Sequence, residues 1–71
     1  MTDIRRFTTI IIRKNGLYLV GRELHDGPPV WSRYRWDAYG TRDREKARDL
    51  ARDYGGVMVL FNPIVGQERI L

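Results

Sequence analysis

The first patterned segment along the chain is Phe7-Thr8-Thr9-Ile10-Ile11-Ile12-Arg13, a run rich in β-branched residues and too short for a helix. Lys14 and the pair Asn15-Gly16 follow, and a second β-type run extends from Leu17 to Leu24. An Asn-Gly pair between two such runs predicts a hairpin, because both central residues of a type I′ turn need positive φ. His25-Asp26-Gly27-Pro28-Pro29 is turn chemistry. Val30 to Trp36 then alternates, with Ser32, Tyr34 and Trp36 on one side and Trp31, Arg33 and Arg35 on the other, which predicts a third strand. Next, Ala47, Leu50, Ala51 and Tyr54 fall at i, i+3, i+4 and i+7 and form one apolar stripe. With Thr41 as N-cap, acids Asp43 and Glu45 in the first turn, and Gly55-Gly56 as C-cap, a helix is expected over about 42–54. Val57 to Phe61, bounded by Gly-Gly and Asn62-Pro63, reads as a buried strand. The tail 64–71 adds a short edge strand or stays mobile.

The order β-β-β-α-β predicts an α+β fold, a small antiparallel sheet with one helix packed on one face. A two-residue turn pairs Lys14 with Leu17, Ile12 with Leu19 and Ile10 with Gly21, and Gly21 would let the helix approach closely. Ile10, Ile12, Leu17 and Leu19 are therefore assigned to the helix side, with Tyr34, Trp36, Val57 and Val59 as core partners. The other face then pairs Arg13 with Tyr18, Ile11 with Val20, Thr9 with Arg22 and Phe7 with Leu24.

Composition narrows the chemistry. Seventy-one residues give room for a single domain with a small core, and the absence of cysteine excludes disulfides, thiolate metal sites and cysteine nucleophiles. His25 is the only imidazole and opens a Gly-Pro-Pro turn; Ser32 lies in an expected strand without a nucleophile elbow. Phosphate loops, dinucleotide fingerprints and His-Glu metal motifs are missing. No catalysis, cofactor or metal is expected. Phe7–Ile12 is too short and threonine-rich for a signal-peptide core, and no stretch approaches the roughly 20 apolar residues of a membrane span, so the expected location is the cytoplasm.

The net charge is +4, and eleven of the thirteen basic residues are arginine. Guanidinium groups make forked contacts with phosphate and stack on flat rings. On the helix, Arg44, Arg48 and Arg52 recur every four residues, but Glu45 and Asp49 precede Arg48 and Arg52 by three, so this row reads as a solvated lattice of ion pairs. The sheet face away from the helix is the better candidate. It would present Arg13, Tyr18, Arg22, Trp31, Arg33 and Arg35 around Ile11 and Val20, with rings to stack on bases and guanidinium groups to meet phosphates. Those residues are equally suited to a protein interface, and an open sheet edge could pair with a second copy to give a homodimer. They also suit plain solubilisation of an open sheet face.

Trp36, Asp43, Ala47, Ala51, Gly55-Gly56 and Val57-Met58-Val59-Leu60-Phe61-Asn62-Pro63 together resemble a layout found in short uncharacterised proteins of phages and integrated mobile elements. The resemblance covers the second half of the chain and carries no catalytic or ligand residue. It implies an accessory role, either binding nucleic acid or blocking a host protein.

Overall fold

The computed structural model describes residues 8–22 and 28–71, with the side chain of Arg22 left aside. The expected Phe7–Leu24 pair and the turn at 25–27 fall outside the described residues. Among the described residues the chain forms β1 (Thr9–Lys14), β2 (Leu17–Arg22), β3 (Pro29–Ser32), a 3-10 turn (Arg35–Asp37), α1 (Arg44–Tyr54), β4 (Val57–Asn62) and β5 (Gln67–Ile70). The strands make one antiparallel sheet in the order β3-β2-β1-β4-β5. The α+β class is the one expected, and the tail supplies an edge strand.

The hairpin closes as the Asn-Gly pair demands. Asn15 and Gly16 take φ of 52° and 79°, and Arg13 lies opposite Tyr18 and Lys14 opposite Leu17. Beyond that the register departs from the expected one. Thr41 exchanges backbone bonds of 2.7 and 3.0 Å with Ile10, and the Tyr39 N–H donates to the Leu19 carbonyl at 2.8 Å. Residues 39–41 thus occupy the gap between β1 and β2, and Ile10 pairs with Thr41 instead of Gly21. Gly21 sits at a bulge with φ 151°, and a Cβ there would meet nothing within 4 Å. Its use is backbone conformation, not the close helix approach that was anticipated.

Asp43, not Thr41, caps α1: its Oδ1 accepts from the Glu45 and Lys46 N–H groups at 3.0 and 3.2 Å. Thr41 acts one step earlier, its Oγ1 accepting from the Asp43 N–H at 3.1 Å. Gly55 ends the helix in the left-handed region at φ 72°. The helix lays Ala47, Leu50, Ala51 and Tyr54 on Ile10, Ile12 and Leu19, joined by Met58, Leu60 and Trp31. Four expected core partners are not there. Val57 and Val59 lie opposite Arg13 and Ile11, which places them on the other face of the sheet. Tyr34 and Trp36 are exposed, because the third strand stops at Ser32.

Ile11 and Val59 are nevertheless only 1% and 0% exposed. Among the described residues no helix covers their face, and side chains of the sheet itself and of the 3-10 turn lie over it. That closure occupies the surface expected to bind a partner.

Candidate nucleic-acid interface

On the face away from α1, β2 carries Tyr18 and β5 carries Glu68, with β1 and β4 between them. In a flat sheet those outer strands stand about 14 Å apart. Their side chains meet only by lying down over Ile11 and Val59. The Tyr18 Oη donates to both oxygens of Glu68, at 3.2 and 3.3 Å. Arg35 reaches in from the 3-10 turn, donating from Nη1 to Glu68 Oε2 at 3.1 Å, and its guanidinium lies 4.7 Å from the Phe61 ring centroid. Arg13 completes the cluster, with Nη1 4.0 Å from Glu68 Oε1. One carboxylate therefore gathers a phenol and two guanidinium groups into a polar roof over apolar residues.

Of the six expected site residues, Arg13, Tyr18 and Arg35 are brought together, but their polar ends turn toward Glu68 instead of an open platform. Trp31 is on the opposite face: it pairs with Leu19 and packs against the helix-side core, with the Lys14 ammonium 5.9 Å from its ring. The Arg22 side chain lies outside the described residues. Arg33 is exposed, its guanidinium carbon 6.0 Å from the Tyr34 ring.

Burial pushes the Tyr18 phenol above the ordinary value of 10.0, and the neighbouring Glu68 charge and hydrogen bond push the same way. A raised pKa in the folded state means that the neutral phenol stabilises the fold fully below pH 10, and that this contribution is lost as pH rises through the folded value. Tyr18→Phe should cost about 1 kcal/mol near neutrality. In urea titrations from about pH 10 upward, the gap between wild type and variant should close as the wild-type phenol ionises beside Glu68. A gap constant across that range would mean that the phenol does not face the carboxylate.

Among the described residues the most exposed aromatics are Trp36 and Tyr34, which the alternating pattern had turned toward the core. Their rings stack at 4.9 Å with an interplanar angle of 22°. The turn that displays them is held by Ser32, whose Oγ donates to Asp37 Oδ2 at 2.8 Å and accepts from the Tyr34 N–H at 3.0 Å. Trp36 is 78% exposed and Tyr34 47%. Beside them a groove of about 320 Å³ is lined by Thr9, Ile11, Arg35, Trp36, Ala38, Phe61 and Pro63, at the small end of ligand-site volumes. The signal for this ledge was Ser32 five residues before Asp37, a pair that folds the chain back on itself. Glu68 carried no comparable signal.

Among the described residues no three His, Asp or Glu side chains gather as a metal site, and no helix is long and apolar enough to cross a membrane. Comparison with known protein families, curated proteins and solved structures finds no match.

Proposed function

We propose that the protein is a non-enzymatic binding domain that holds single-stranded nucleic acid weakly and with little sequence preference, using the Tyr34–Trp36 ledge. The observation that carries this reading is a tryptophan 78% exposed and held against a second ring. Stacking one base on such a side chain is worth about 1–3 kcal/mol and tolerates any base, since every base has a π face. Arg33 stands beside the rings for a phosphate, and the adjoining groove gives a splayed base somewhere to go. A protein partner is the second reading. It is favoured by Ile64 and Val65, exposed in the turn that follows Pro63 of the groove. Pairing of a sheet edge with a second copy has less support: β3 and β5 are four residues each, β3 begins with Pro29, and β5 carries Glu68 and Arg69.

The test is a titration of fluorescent single-stranded DNA and RNA, followed by anisotropy and by quenching of tryptophan emission. Binding should quench the exposed Trp36, weaken steeply with salt, and fall about fivefold or more in Trp36→Ala, matching loss of one stacked base. No binding at low salt would sink the nucleic-acid reading. The apolar ledge would then be assigned to a protein partner, for which salt should leave affinity level or raise it.

A further inference from the structure

The helix arginines are not equivalent. Ala47 is fully buried under α1, and Lys46, Leu50 and Tyr54 line a hollow with Leu19, Gly21 and Tyr39, which marks that flank of the helix as the β2 side. At 3.6 residues per turn, Arg44 and Arg48 project from the opposite flank, toward β4 and β5. The floor on that side is a second hollow of about 190 Å³ lined by Thr8, Leu60, Asn62, Gln67 and Arg69. It contains no acid.

The ion-pair lattice expected along α1 forms only in part. Arg52 holds Asp49 at 3.0 Å and approaches Asp53 at 3.7 Å, whereas the Glu45–Arg48 pair is absent. Among the described residues, the ion pairs involve Arg13, Arg35 and Arg52, and none involves Arg44, Arg48 or Arg69. By the same helical spacing, Glu45, Asp49 and Asp53 project from the crest and the far flank. By that spacing Arg44 and Arg48 stand on the flank of α1 that faces the hollow lined by Arg69, and among the described residues no carboxylate pairs with any arginine of this trough.

We infer that this trough between α1 and β5 carries the phosphate backbone of the bound strand, with Arg44, Arg48 and Arg69 each meeting a phosphate. The inference rests on the nucleic-acid reading and says where the charge of the ligand goes. Arg44 and Arg48 are about 6 Å apart along the helix axis, and their forked donors match phosphate oxygens. Trough and ledge open at the same end of the sheet. Thr8 and Asn62 line one, their chain neighbours Thr9, Phe61 and Pro63 line the other, and alternate residues of a strand face opposite ways. A strand leaving the trough past the 63–66 turn thus arrives at Trp36.

The experiment compares wild type with Arg44→Ala/Arg48→Ala/Arg69→Ala on a fluorescent oligothymidylate between about 50 and 200 mM salt. Each phosphate contact on a single strand contributes about 0.7 to the slope of log K against log salt. Removing three should lower the slope by about 2. Over that fourfold salt range the wild type should then lose roughly twentyfold more affinity than the variant. Lys14→Ala/Lys46→Ala, which removes two charges away from the trough, one beside Tyr54 and Trp31 and one beside Tyr39, should leave the slope almost unchanged. If the triple variant does not fold by circular dichroism, Arg44→Gln/Arg48→Gln keeps good helix formers on the flank and should lower the slope by about 1.4. A full slope in a folded variant, with binding still lost in Trp36→Ala, would overturn the trough and leave the ledge standing. Absence of wild-type binding would remove both. Polyglutamate held as tightly as the oligonucleotide, with the same dependence on these arginines, would reassign the trough to acidic protein.

Discussion

Truncating Ile11 to alanine is expected to cost about 2–5 kcal/mol, the range for a large-to-small change in a closed core. That equals the expectation for Ile12→Ala, although only Ile12 lies beneath the helix. The reason is the roof. Ile11 and Val59 are shut off by Tyr18, Arg13, Arg35 and Glu68, whose hydrocarbon parts lie flat because their polar ends are held together. A domain of 71 residues has about 4–10 kcal/mol of stability in all. The loss should therefore lower the thermal midpoint by about 8 °C or more, at about 4–8 °C per kcal/mol. Urea unfolding of Ile11→Ala, Glu68→Ala and the double variant measures the coupling. If the roof keeps Ile11 dry, the double loss should fall short of the sum by at least about 0.5 kcal/mol. Strict additivity, or an Ile11→Ala loss below about 1 kcal/mol, would show that this face is already wet.

The second large effect is expected at Gly56, and it should exceed that at its neighbour Gly55. Gly55 is the helix cap. Its φ of 72° disfavours any Cβ, but one placed there would make only ordinary contact, 3.6 Å from the Lys14 Nζ. Alanine at Gly55 should cost about 1–2 kcal/mol, the cost of left-handed backbone. At Gly56 the obstacle is steric. A Cβ would stand 2.6 Å from Ile12 Cγ2 and 3.0 Å from the Arg13 carbonyl oxygen. Neither neighbour is the loose end of a flexible side chain, since Ile12 is buried and Arg13 is hydrogen-bonded into the centre of the sheet. Overpacking there should cost about 2–3 kcal/mol, read as a shift in urea midpoint. Equal losses at the two glycines would mean that β1 can move away from the start of β4 without penalty.

Local rules carried much of the fold. The Asn-Gly turn, the apolar stripe on α1, the glycine cap and the short apolar run of β4 each follow from interactions within a few residues. Each appears close to where the pattern placed it. The third strand shows where a local rule misleads. Val30 to Trp36 alternates perfectly, and alternation favours a strand of any length. The strand ends at Ser32 because the serine bonds Asp37 and turns the chain, and because residues 39–41 then fill the gap between β1 and β2. Moving that boundary by four residues carried Tyr34 and Trp36 out of the expected core. The bulge beside Gly21 broke the register of β2 against β3 as well, and Trp31 faces the helix rather than the expected platform.

The candidate site divides along the same line. That arginine and aromatic side chains would dominate the surface was decided by composition, and a net charge of +4 is the same whatever the topology. Which arginines keep their charge available was decided by sequence-distant contacts. Glu68 lies 33 residues from Arg35 and 50 from Tyr18, and only the β3-β2-β1-β4-β5 order brings it across to them. Hydrophobic periodicity is a property of neighbours, so the chain alone determined the β1–β2 hairpin, α1, β4 and the packing of the α1 stripe on Ile10, Ile12 and Leu19. Charge pairing is a property of proximity in space, so only the tertiary structure decided that Arg13 and Arg35 are spent on a roof while, among the described residues, no carboxylate pairs with Arg44, Arg48 or Arg69.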